Sequence, residues 1–233
     1  MRRLGRDFGG QRSAMVRRQL RGRGIEDERV LSAMEEVPRE LFVPEESKRR
    51  AYADAALPIG HGQTISQPWI VAAICQALRL DGSEKVLDVG AGSGYSTAVL
   101  ARLCRYVVAV ERIPELASAA TSRLEALGVG NARVLEGDGS VGVTEEAPFG
   151  AVAIHATSPH PPASLLEQLA PGARLVVPVA APGVDMLTTF VREGREVPDW
   201  SSGAGLSSEV IGPCRFVPLI GAEAFDADTL RAG

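Results

Sequence analysis

The stretch Lys85-Val86-Leu87-Asp88-Val89-Gly90-Ala91-Gly92-Ser93-Gly94-Tyr95 decides how this chain is read. Lys85 to Val89 is short and β-rich, the pattern of a buried strand. Glycines then follow at alternate positions, and Tyr95 to Leu103 reads as a helix. Strand, glycine turn and helix make the first unit of a doubly wound α/β domain. The glycines turn the backbone tightly and let a ligand approach without meeting a Cβ. That ligand belongs at the carboxyl end of the strand, near the topological switch point.

Neighbouring residues choose among ligands. A dinucleotide fingerprint places a glycine at position 95, where this chain has Tyr95. Asp88 would repel a pyrophosphate, which wants bare backbone N–H groups and a helix N-terminus. A carboxylate there attracts an ammonium or sulfonium instead, which favours S-adenosylmethionine over NAD. Tyr106 to Val110 reads as the second strand, and Glu111 ends it where a ribose-binding carboxylate is expected. Ala132 to Glu136 reads as the third, followed by Gly137-Asp138-Gly139. Asp138 either caps a turn or accepts the amine of an adenine from the ligand side of the sheet.

Outward from this centre, four more strands are predicted: Ala151 to His155, Arg174 to Val179, Leu187 to Val191 and Glu209 to Val217. Amphipathic helices are predicted over Pro114 to Leu127 and Ala163 to Leu169, and a long polar loop over Arg192 to Ser208. The fold class is therefore α/β, a doubly wound seven-stranded mainly parallel sheet with right-handed crossovers. Residues 1 to 12 read as a loose leader, with helices over Ser13 to Arg21 and Asp27 to Met34. From Arg39 to Gly62 the prolines and charges suggest short helices and turns. Residues 1–80 thus form an N-terminal helical extension on a core of residues 81–233. Ser66 precedes Gln67 and Pro68 and reads as the N-cap of the helix that follows.

Composition narrows the function classes. The chain has 233 residues, 29 acidic and 25 basic, so no overall field argues for nucleic acid. Arg2, Arg3, Arg6, Arg12, Arg17, Arg18, Arg21 and Arg23 crowd the start and read as a solvated helix face. No apolar run suits a membrane span, and the basic start lacks the apolar region of a secretory signal. Cys75, Cys104 and Cys214 are scattered, forming neither a disulfide framework nor a metal site, which suits a reducing cytoplasm. His155 ends a strand and reads as a hydrogen-bonded structural residue. His61 and His160 share no metal-ligand spacing with carboxylates or cysteines.

Several blocks, in order, resemble the protein-L-isoaspartate O-methyltransferases. They are Met15 to Leu20, Arg23 to Ile25, Val37 to Pro44, Ala51 to Asp54, Leu57 to Pro68, Val86 to Tyr95, Val110 to Arg112, Gly137 to Gly139, Ala147 to Phe149, Gln168 to Pro178 and Arg215 to Leu219. The most specific is Leu57-Pro-Ile-Gly-His-Gly-Gln-Thr-Ile-Ser-Gln-Pro68. The resemblance implies a Rossmann-like class I methyltransferase fold and S-adenosylmethionine as cofactor. It implies methylation of the free α-carboxylate of isoaspartyl residues in damaged peptides and proteins, followed by spontaneous collapse of the ester to a succinimide. Under it, Ser66 falls on the active-site serine. Asp88, Gly90, Gly92, Gly94, Glu111, Asp138 and Gly139 match cofactor-binding positions. Thr64 and Ile65 flank the serine and line the same pocket. The partners implied are isoaspartyl peptides and proteins, with no nucleic acid or membrane, and the state expected is a monomer.

Gly150 and the stretch 155–157 depart from the family pattern. Gly150 stands where an Asp is usual, and His155-Ala156-Thr157 replaces a smaller triplet. Two other readings share the cofactor motifs: a relative that methylates an Asp of one dedicated peptide, and a non-catalytic isoaspartyl-binding adaptor. A nucleic-acid methyltransferase lacks support, because no Asn/Asp-Pro-Pro-aromatic motif follows the fourth strand. A dehydrogenase is disfavoured by Tyr95 and Asp88.

Overall fold

Asp7 accepts the Gly10 amide at 2.8 Å and so starts helix α1 (Phe8–Met15). The computed structural model describes residues 7–194 and 198–227; Arg2, Arg3 and Arg6 lie outside them, as do 195–197 of the polar loop. The leader expected over residues 1–12 is therefore helical from Phe8. The helix runs on through a π turn (Val16–Leu20) and a 3-10 turn (Arg21–Arg23) to Gly24, whose φ of 90° ends it. Arg17, Arg18, Arg21 and Arg23 are exposed, as a solvated face requires.

Helix α2 (Glu28–Glu36) begins where Asp27 accepts the amides of Arg29 and Val30. Two 3-10 turns follow, Arg39–Leu41 and Glu45–Arg50. Strands β1 (Leu57–Gly60) and β2 (Gln63–Ile65) then form an antiparallel hairpin, a correction to the helices and turns expected up to Gly62. Strands this short, carrying Pro58 and Gly60, show too little alternation to be read locally. Helix α3 (Pro68–Leu78) follows, with Pro68 in its first turn.

The core alternates strand and helix: β3 (Lys85–Val89), α4 (Tyr95–Leu100), β4 (Tyr106–Glu111), α5 (Pro114–Ala126), β5 (Ala132–Glu136), β6 (Phe149–Ile154), α6 (Ala163–Glu167), β7 (Leu169–Val179), β8 (Asp185–Arg192) and β9 (Leu206–Cys214). The sheet order is β5-β4-β3-β6-β7-β8-β9. The first five of these neighbours run parallel, and β8 is antiparallel to β7 and β9. The seven-stranded, mainly parallel, Rossmann-like sheet is thus as the sequence implied. β9 begins and ends earlier than the stretch expected, so Phe216 and Val217 fall in the segment after it.

Alternation along β3 splits the core. Val86 faces a cluster with Met15, Phe42, Ile74 and Tyr95, which joins the N-terminal helices to the sheet. Leu87 faces the opposite cluster with Val108, Val152, Leu165 and Leu175. Each such side chain contributes about 1.5–3 kcal/mol by leaving water. The chain leaves β3 toward β4 on one side and later returns to β6 on the other. That reversal opens a crevice at the carboxyl end of β3.

Candidate active site

Gly90 and Gly92 adopt φ values of 83° and 55°, which only glycine takes without strain. The turn is pinned to β4 by the amides of Gly90 and Ala91, both donating to the Val110 carbonyl. Glu111 completes it. Its Oε2 accepts the Gly92 amide at 2.8 Å and its Oε1 accepts the Ile113 amide at 2.9 Å. A carboxylate has about four acceptor sites, so about two are left for a diol. Glu111 is buried yet lines a hollow with about 840 Å³ of empty space, part of it open to solvent.

Gly90, Gly92, Glu111, Gly139, Thr64, Ile65 and Ser66 all stand on the wall of this hollow. Asp88, Gly94 and Asp138 do not. Gly94, with φ 89°, precedes α4 and packs on α5, where a Cβ would lie 3.2 Å from that of Ala120. Asp88 is fully buried behind the turn, accepting from Thr97 Oγ1 at 2.6 Å and Ser96 Oγ at 3.1 Å. His155 Nε2 lies 3.0 Å from Asp88 Oδ1 without the alignment of a hydrogen bond. The direct contact with a cationic ligand expected of Asp88 is therefore replaced by an internal network.

Asp138 is also diverted. Its Oδ1 accepts from the amide and hydroxyl of Ser140, and its Oδ2 accepts the Ala222 amide at 2.7 Å. Of the two readings of this residue the turn cap is the one seen, and its second oxygen ties down the segment after β9. That segment supplies Val217, Leu219 and Ile220 to the hollow. Val217, Leu219 and Ile220 were not among the site residues expected from the sequence. The block Arg215 to Leu219 was the available signal. Arg112 and Ile113 on the same wall were missed as well, and His155, expected to be structural, also lines it.

Ser66 is not the helix cap. The N-cap position of α3 is Gln67, which makes no side-chain capping bond, and Pro68 fills the first turn. Ser66 lies one residue before the N-cap position, outside the cap, so its hydroxyl is released from that duty. It has no hydrogen-bond partner among the described residues. Ser66, Thr64 and Val217 stand on the wall of the glycine-turn hollow and also of a second one, with about 1050 Å³ of empty space. The second hollow is lined by Trp69, Ile70, Phe216, Arg23 and Arg215. Ser66 thus marks the junction of a polar, glycine-lined hollow and a more apolar one.

Gly150 has a physical reason. A Cβ there would lie 2.8 Å from Cβ of Glu84. The Glu84 carboxylate accepts the amides of Asp81 and Gly82, which anchors that side chain in place. Among the described residues there is no His, Cys, Asp and Glu grouping that could hold a metal ion. Nor is any helix among them long and apolar enough to cross a membrane.

Comparison with known proteins identifies the family. The profile of the family described as protein-L-isoaspartate(D-aspartate) O-methyltransferase matches residues 11–224. A protein-L-isoaspartate O-methyltransferase 1 of Rhodopseudomonas palustris (strain HaA2) is 49% identical over 94% of this chain and 86% of its own length. Another, from Anaeromyxobacter sp. (strain Fw109-5), is 50% identical over 90% of this chain and 96% of its own. A solved protein-L-isoaspartate O-methyltransferase superposes with a TM-score of 0.79 at 26% identity, over 91% of this chain and 67% of the other.

Proposed function

The chain belongs to the protein-L-isoaspartate O-methyltransferase family, and from that premise we propose that it methylates the free α-carboxylate of isoaspartyl residues, with S-adenosylmethionine as donor, starting their repair. The observation that carries this reading is the unpartnered hydroxyl of Ser66 at the junction of the two hollows.

The glycine-turn hollow fits the donor. Glu111 offers free acceptor sites to ribose hydroxyls, and Val110, Ile113 and Ile220 offer apolar surface to an adenine. Bare glycines permit close approach. When bound, S-adenosylmethionine supplies an activated methyl group on a sulfonium.

The protein's own work is then alignment. An α-carboxylate has a pKa near ~3.5 and is already an anion at neutral pH, so no base is required. His155, held beside Asp88, need not take a proton. The Ser66 hydroxyl donates to the carboxylate and orients it, the kind of positioning that removes much of a barrier. Charged residues gripping both carboxylate oxygens would hold back the nucleophile; a neutral hydroxyl does not. Trp69, Ile70 and Phe216 line the second hollow, where a peptide backbone would lie and exclude water.

The test is transfer of label from methyl-labelled S-adenosylmethionine to matched isoaspartyl and aspartyl peptides. The isoaspartyl peptide should be labelled and its twin not. Equal labelling of both would contradict the repair reading. Labelling of neither, with adenosylhomocysteine still bound, would favour a dedicated peptide substrate.

A further inference from the structure

Arg39 is a fully buried guanidinium, at 0% exposure, and no carboxylate pairs with it among the described residues. Its Nε donates to the Ala51 carbonyl at 2.8 Å, and Nη2 donates to the Ser66 carbonyl at 2.7 Å. Nη1 is buried with no partner. The group lies over the ring of Tyr95, 4.8 Å from its centroid, and Tyr95 lines the glycine-turn hollow. Burial works against the charge, and Tyr95 works for it.

Removing a cation from water without a counter-ion is costly, and an orphaned buried donor adds to the cost. Perturbed buried charges concentrate at functional sites. This one ends a single hydrogen bond from Ser66, where the two hollows meet. We propose that Arg39 is a positioning residue whose missing counter-ion is the substrate carboxylate. It fixes the Ser66 backbone through the carbonyl, and its charge draws an anion to the Ser66 hydroxyl. A charge felt across the Ser66 backbone attracts the carboxylate while leaving its oxygens free to react. The other cations near the second hollow serve less well. Arg23 is already paired with Asp54 at 2.8 Å, and Arg215 is exposed to water. This proposal rests on the isoaspartyl carboxylate being the acceptor, as argued above.

The experiment compares two peptides that differ only at the isoaspartyl α-carbonyl, carboxylate or carboxamide, binding in the presence of adenosylhomocysteine. Wild type should prefer the carboxylate. Arg39→Met should bind the carboxylate peptide at least ~10-fold more weakly, on the scale of a lost charge partner. Its affinity for the carboxamide peptide should fall much less, by only what the lost tie to the Ser66 carbonyl contributes. Arg39→Lys, which keeps the charge, should retain most of the preference. Equal loss for both peptides, or an intact preference in Arg39→Met, would overturn the proposal. Should Arg39→Met fail to fold, wild type alone decides. A buried charge is weakly screened, so carboxylate affinity should fall less than about 3-fold from about 0.05 to 0.5 M salt. A steep fall would assign the role to exposed arginines instead. If wild type methylates no isoaspartyl peptide, the functional reading fails first. If it methylates and the preference survives in Arg39→Met, only the Arg39 assignment falls.

Discussion

The carboxylate of Glu111 holds the glycine turn closed, its Oε2 accepting the amide of Gly92 at 2.8 Å. The other oxygen accepts the Ile113 amide, so one side chain ties the end of β4 to both the turn and the start of α5. The group proposed to bind ribose therefore also shapes the cradle.

Glu111→Gln should expose that double role. One of the two backbone N–H groups must then face an amide NH2, donor against donor. Loss of about 2 kcal/mol of stability is expected, as for a buried charge-assisted hydrogen bond. Affinity for adenosylhomocysteine should fall about 10-fold, the equivalent of about 1.4 kcal/mol. Calorimetry and thermal unfolding measure both.

Ser66→Ala should separate chemistry from folding. Because Gln67 and Pro68 occupy the start of α3, the cap loss of about 1 kcal/mol should not appear. Turnover should drop by about 10-fold or more, the scale of a lost positioning contact. Melting temperature and cofactor affinity should match wild type. A destabilised variant with normal turnover per folded molecule would reverse the assignment.

Gly139 and Gly137 make an internal control. A Cβ at Gly139 would lie 2.6 Å from Cγ1 of Val89, whereas one at Gly137 meets nothing within 4 Å. Gly139→Ala should cost about 1–3 kcal/mol, as overpacking does, and should weaken cofactor binding. Gly137→Ala should be within about 0.5 kcal/mol of wild type, as surface substitutions usually are.

Asp138→Asn should loosen the segment after β9. The Asn amide would either oppose the Ala222 amide or give up a bond to Ser140. Faster hydrogen exchange over residues 219–227 is the expected readout. Exchange confined to residues 138–142 would show that the tie to Ala222 carries no weight.

The thiols give a pH signature. Burial pushes Cys214 up to about 11 and Cys104 up to about 12, and raises Cys75 as well. Unfolded thiols ionise near ~8.5. Below that value both states are protonated and the stability is intact. Above it the unfolded state ionises first, so stability declines as pH rises toward about 11 and beyond. At pH 8 native protein should react slowly with a thiol reagent and unfolded protein rapidly. Equal rates would mean the thiols are not enclosed.

Much of this molecule was legible residue by residue. β3, β5 and α5 were read nearly to their ends, because short β-rich runs, a helical stripe and punctuating glycines are local properties. The hairpin β1–β2 was not, since its strands are too short to show a period. Side-chain duties were harder still. Ser66 reads as a cap only until the geometry puts Gln67 at that position. Asp88 reads as a ligand contact until Ser96 and Thr97 claim it.

Spacing alone therefore determined the parallel sheet, the glycine turn and the acid at the end of the second strand, since each follows from backbone preferences within a few residues. Which carboxylates meet a ligand was decided only by packing. Ala222 reaches Asp138 across 84 positions, and Arg39 reaches Ser66 across 27. The reason is physical: a hydrogen bond depends on distance in space, and a fold brings together groups whose separation along the chain carries no periodic trace.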